Sequence, residues 1–79
     1  MMAFVMVKVE AGKERAVMDE LHSIKKVHDV YALFGEFDYI IRVETSDAYS
    51  LGQLVSDCIS KLPGIQKTTT LLVTALGKA

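Results

Sequence analysis

Nine Lys and Arg against ten Asp and Glu leave this 79-residue chain with a net charge of −1; half of its residues are hydrophobic and one is a cysteine. So short a chain holds one core, hence a single expected domain over 1–79. The lone Cys58 excludes an internal disulfide, and no Cys/His cluster offers metal-ligand spacing.

The longest basic run is Lys25-Lys26, which leaves no footprint for nucleic acid. The longest apolar stretch, Met1 to Val7, is far short of a membrane span, and the amino end lacks a signal-peptide pattern. The expected compartment is the cytoplasm. Half-apolar composition in a chain that buries so little of its surface points to self-association.

Residues 3–9, Ala3-Phe4-Val5-Met6-Val7-Lys8-Val9, read as a strand with Val5, Val7 and Val9 on one face and Phe4, Met6 and Lys8 on the other. Residues 13–25 place Val17, Leu21 and Ile24 at helical spacing, with Gly12 as a weak N-cap and Glu14 in the first turn. A second strand is expected over 27–36 and a third over 38–45, joined by a tight turn at Gly35-Glu36-Phe37-Asp38 where Gly35 is free to take positive φ. Thr45-Ser46-Asp47 supplies caps for a second helix, whose stripe Leu51, Leu54, Val55, Cys58, Ile59 and Leu62 buries the cysteine as a small hydrophobe. Pro63-Gly64 stops that helix. The last strand runs from Ile65 to Ala75, and Gly77-Lys78-Ala79 reads as a frayed tail.

The order β-α-β-β-α-β, with right-handed crossovers, gives an α+β ferredoxin-like sandwich: a four-stranded antiparallel sheet with both helices on one face. The first and last strands, apolar and β-branched, are expected at its centre. Helices cover one face only. The opposite face then carries Phe4, Met6, Ile40 and Leu72 among Lys8, Arg42 and Glu44, a density of apolar groups that marks an interface between copies.

No phosphate loop, paired acid–base carboxylates or triad is present, so no catalytic residue is assigned and no enzyme is expected; His22 and His28 read as surface residues. Two features stand out. Gly35-Glu36-Phe37-Asp38-Tyr39 presents a carboxylate and aromatics beside a flexible backbone, and Lys67-Thr68-Thr69-Thr70 places Thr68 and Thr70 on one face of a strand. Hydroxyls, a carboxylate and backbone amides can hold a zwitterion. Threonine is equally a good strand former, and an Asp after a turn often bonds only backbone, so the pattern alone leaves both readings open.

The residues Ala3-Phe4-Val5-Met6-Val7-Lys8-Val9, Gly12-Lys13-Glu14, Val30-Tyr31-Ala32-Leu33-Phe34-Gly35-Glu36-Phe37-Asp38-Tyr39, Leu62-Pro63-Gly64-Ile65 and Thr68-Thr69-Thr70-Leu71-Leu72-Val73 together resemble the effector-binding (RAM) domain of the Lrp/AsnC transcription regulators. The resemblance covers nearly the whole chain. It implies a βαββαβ domain, related in topology to dimeric α/β barrels, that dimerises sheet to sheet, assembles into rings such as octamers, and binds amino acids between subunits. The matching ligand-binding positions are Tyr31, Gly35, Glu36, Phe37, Asp38, Thr68 and Thr70, with Asp38 receiving the ammonium and the loop backbone the carboxylate. Phe37 stands where many members have Tyr. The amino-terminal helix-turn-helix domain typical of the family has no counterpart, so a stand-alone form without direct DNA binding is implied, with full-length regulators as possible co-assembly partners. No cofactor or metal is implied. The rival readings are a ligand-independent oligomerisation module and a dimeric α/β-barrel enzyme, the latter requiring His22 or His28 to face a pocket.

Overall fold

The computed structural model describes residues 1–74. It contains β1 (Met2–Val9), α1 (Glu14–Ser23), β2 (Val27–Ala32), β3 (Tyr39–Glu44), α2 (Ala48–Gln53) continued by a π-helical turn (Leu54–Ile59), and β4 (Ile65–Leu72). The expected βαββαβ order and single antiparallel sheet are present. The expected frayed tail, Gly77-Lys78-Ala79, and the last residue of the expected strand, Ala75, lie outside the described residues.

The strands lie in the order β2-β3-β1-β4. The centre is therefore β1 and β3, and β4 is an edge, contrary to the expectation that the first and last strands sit inside. Strands are about 4.8 Å apart and a helix is about 10 Å wide, so each helical crossover spans two strand intervals. β1 to β2 and β3 to β4 each skip one place, and the two skips interlock. Apolar strand composition reports faces rather than lateral position, which is why β4 misled.

Alternation along the strands sets the faces as expected. Val5, Val7 and Val9 of β1 and Tyr39, Ile41 and Val43 of β3 are buried, against Val17 and Leu21 of α1 and Leu51, Leu54 and Ile59 from the second helix. Each such side chain contributes about 1.5–3 kcal/mol relative to exposure, enough to fix which face the helices cover.

The ends of the elements bear out one expected cap and shift several boundaries. α1 begins after Lys13, which makes no side-chain cap bond; Gly12 turns with φ 87° and Glu14 Oε1 accepts from its N–H at 3.0 Å. Asp47 does cap α2, its Oδ1 accepting from Ser50 N–H at 2.8 Å, which pulls its carboxyl below the usual range. β2 stops at Ala32 rather than running to Glu36, because Leu33 N–H reaches Asp38 O at 2.9 Å and closes the ladder over a four-residue loop, Phe34 to Phe37. Gly35 in that loop has φ 158°.

The second helix holds the largest departure. From Leu54 its turns widen, with Ser60 N–H bonding Val55 O at 2.8 Å, an i→i+5 bond. The wider turn brings Ile59 under Leu54 in the core and rotates Cys58 outward, so Cys58 is exposed and not a core residue. Gly64 follows in the turn into β4, at φ 94°, its carbonyl accepting from Glu10 N–H at 2.8 Å.

Candidate functional site

The uncovered face of the sheet and the β2–β3 loop form one continuous surface. Along it Met6 pairs with Ile40 and Ile40 with Tyr31, while Phe4 pairs with Arg42 and with Leu71. Leu71, not Leu72, is the β4 leucine on this face; Leu72 opposes Ala3 on the helix side. The one-residue slip moves the assignment because strand side chains alternate. Tyr31 and Leu71 are exposed, Phe4, Met6 and Ile40 half-buried.

At one end of this face the charges are paired. Arg42 Nε donates to Asp29 Oδ2 at 2.5 Å and Nη1 to Glu44 Oε2 at 2.8 Å, and His28 Nε2 lies 3.9 Å from Glu44 Oε2. The Asp29 hydrogen bond, then that of Glu44, raises the Arg42 guanidinium above its ordinary value. A β-bulge between Val27 and Asp29 brings His28 to this cluster, where it stays exposed; His22 is exposed on α1.

The loop folds over the other end of β1. Asp38 N–H donates to Val7 O at 2.9 Å, and Asp38 Oδ2 accepts from Val9 N–H at 2.7 Å. Lys8 Nζ donates to Glu36 O at 3.0 Å, and Lys67 Nζ stands 5.8 Å from the centre of the half-buried Phe37 ring. Phe34 at the tip is fully exposed. Tyr39, next to Asp38, turns inward and donates its hydroxyl to Glu14 O at 2.9 Å; burial, with Glu14 and Asp38 nearby, raises its phenol above the ordinary value.

The expected binding positions are thus placed in two groups. Gly35, Glu36, Phe37 and Asp38 share the loop, and Tyr31 lies on the open face beside Ile40. Thr68 and Thr70 oppose Val7 and Val5, so their side chains leave the helix face, where Thr68 Oγ1 is 3.4 Å from Ser60 Oγ. A single chain does not bring the threonines and the loop to one face. Lys8 and Lys67 were not singled out as binding residues; they meet through the β1–β4 register, which the sequence pattern does not reveal. A separate depression of about 310 Å³, lined by Lys26, Ser50, Gln53, Leu54, Asp57 and Cys58, includes none of the expected binding residues. Among the described residues no group of three His, Cys, Asp or Glu is arranged for a metal, and no helix is long and apolar enough to cross a membrane.

A family model described as the Lrp/AsnC ligand binding domain matches residues 2–76. The chain is 33% identical over 73 residues to the HTH-type transcriptional regulator FL11 of Pyrococcus horikoshii, covering 92% of this chain and 48% of that protein. It is 32% identical over 74 residues to the proline dehydrogenase transcriptional activator of Rhizobium radiobacter, covering 90% and 47%. The chain therefore spans about half the length of the curated relatives it matches. Among solved structures, FFRP-DM1 superposes with a TM-score of 0.89 at 38% identity, covering 92% of this chain and 97% of that one. A transcriptional regulator from Neisseria meningitidis, solved as an L-Met complex, shares the fold with a TM-score of 0.85 at 24% identity, covering 99% and 52%.

Proposed function

The chain belongs to the Lrp/AsnC ligand-binding domain family, and from that premise we propose that it senses an amino acid by pairing with copies of itself. A ligand-binding family of transcription regulators is not a catalytic one, and the chain is no enzyme. The observation that carries the proposal is the uncovered sheet face, where Phe4, Met6, Ile40, Tyr31 and Leu71 adjoin a loop with the fully exposed Phe34. A second copy laid on this face would bury it.

In this reading residues 1–79 act as one ligand-binding and oligomerisation unit. The two groups of binding residues belong to one site only across a subunit boundary: Tyr31 and the loop Gly35-Glu36-Phe37-Asp38 from one copy, Thr68 and Thr70 from another. Asp38 Oδ2 is held by Val9 N–H, and its other oxygen would take the ligand's ammonium. Placement between copies is what lets a ligand bias assembly, by about 2.7 kcal/mol at a hundredfold excess over Kd. Rings such as octamers, a cytoplasmic setting and co-assembly with full-length regulators complete the proposal. The Neisseria protein's ligand makes methionine the first amino acid to test.

Light-scattering mass of the pure chain, with and without each of the twenty amino acids, tests the reading. An assembly whose mass or melting point shifts with one amino acid supports it; a monomer at micromolar concentration refutes it. The alternative is a ligand-independent module, favoured by the Asp38 carboxylate already serving the backbone of Val9. Asp38→Asn separates the two, since its amide oxygen can still accept from Val9 while its charge is gone. A sensor responds as the wild type and loses that response in the variant while keeping its mass; a module keeps its mass and responds in neither form.

A further inference from the structure

Two cations without an acidic partner among the described residues meet at the loop. Lys8 and Lys67 are Cα partners across the β1–β4 ladder, so both side chains leave the open face side by side. Like charges directly opposed across a ladder repel. The three ion pairs found among the described residues all lie at the opposite end of the sheet, around Arg42 and Glu44, and include neither lysine. Asp38, whose Oδ2 accepts from Val9 N–H, forms no ion pair with either lysine.

Both ammoniums instead converge on consecutive residues of the loop. Lys8 reaches the carbonyl of Glu36 at 3.0 Å, and Lys67 the ring of Phe37 at 5.8 Å. A carbonyl occupies one of the three donors of an ammonium and a ring face occupies none, so most of the N–H groups remain available. The ladder also breaks beside the pair, where Lys8 opposes Lys67 but Val9 opposes Ile65, leaving Gln66 without a partner on β1. Such bulges twist the strand and re-aim the neighbouring side chains.

We infer that the loop site takes an acidic ligand, an amino acid with a second carboxylate, which bridges Lys8 and Lys67 beside the Phe37 ring. The inference rests on the amino-acid reading above and narrows it to a class. Charge-assisted bonds to a carboxylate are stronger than those to the isosteric amide, and they relieve the repulsion between the lysines as well.

Calorimetric titration of the chain with L-glutamate and L-aspartate, against L-glutamine and L-asparagine, tests it. The acids should bind about tenfold or more tighter than their amides, the difference that one charge-assisted contact makes. Added salt should shrink that preference. Lys8→Gln and Lys67→Gln should each reduce it, with unchanged circular dichroism. Amides binding as well as acids, or both variants keeping the preference, would overturn the inference and leave the amino-acid reading standing. Failure of every amino acid to bind an assembled protein would overturn both. Loss of assembly in the two lysine variants without ligand would show that carboxylates of a second copy neutralise the pair, which also overturns it.

Discussion

Replacing Gly64 by alanine isolates the tightest contact in the fold. A Cβ at this position would stand 2.8 Å from Lys13 Cβ, 3.2 Å from Lys13 Cγ and 3.1 Å from Val17 Cγ2. Lys13 Cβ is fixed to the backbone, so relief requires α1 to move away from the turn that precedes β4. The residue also sits at φ 94°, where a side chain costs about 1–2 kcal/mol. Overpacking adds about 1–3 kcal/mol, for a total of roughly 2–5 kcal/mol. In a domain of this size each kcal/mol lowers the melting temperature by about 4–8 °C, so Gly64→Ala should melt at least about 8 °C lower. Gly52→Ala is the control: it lies in α2 with nothing within 4 Å of its Cβ, and should gain about 0.5–1 kcal/mol. Both are read by thermal denaturation at one fixed protein concentration, because association shifts the midpoint. Equal melting temperatures for the two variants would refute the packing argument.

Met6→Lys, at the centre of the open face, should reduce the light-scattering mass to that of a monomer while far-ultraviolet dichroism is retained; an unchanged mass would place the interface elsewhere. Cys58 should react with a thiol reagent in the folded protein, to the same extent as after denaturation; protection until unfolding would restore it to the core. Tyr39 should contribute an alkaline limb. Its folded phenol is raised by burial, so that stability is fully present below about pH 10 and is lost as pH rises through the folded value; Tyr39→Phe should flatten that limb in a pH series of melts. Asp47 acts in the opposite direction. Its lowered carboxyl stabilises above about pH 4, the effect falls away as pH drops through the folded value, and Asp47→Ala should remove the dependence.

What the sequence made legible followed from periodicity. The alternation of Val5, Val7 and Val9 against Phe4, Met6 and Lys8 identified both faces of the sheet, and the spacing of Val17 and Leu21 identified the buried side of α1. Lateral strand order was not legible, because it depends on helix width against strand spacing rather than on any residue of β4. Cys58 was misplaced for a different reason. The stripe Leu54, Val55, Cys58 and Ile59 fits an α-helix, and only the i→i+5 bond from Ser60 to Val55 shows that the turn is wider. The loop was recognised from Gly35 and Asp38, but the approach of Lys8 and Lys67 to Glu36 and Phe37 requires the register across β1 and β4.

The two margins of the sheet differ in how they meet other polypeptides. Along β2 the ladder bulges at His28 and carries Asp29, devices that discourage strand addition. Along β4, beyond the bulge at Gln66 and past Lys67, the run Thr68-Thr69-Thr70-Leu71-Leu72 has neither charge nor proline, and Leu71 and Leu72 are exposed. Such a window, β-prone and uncharged, is the kind that stacks into fibres when left open. A neighbour along this margin would therefore limit aggregation as well as shape the assembly, and an isolated copy leaves Leu71 and Leu72 open to strand addition.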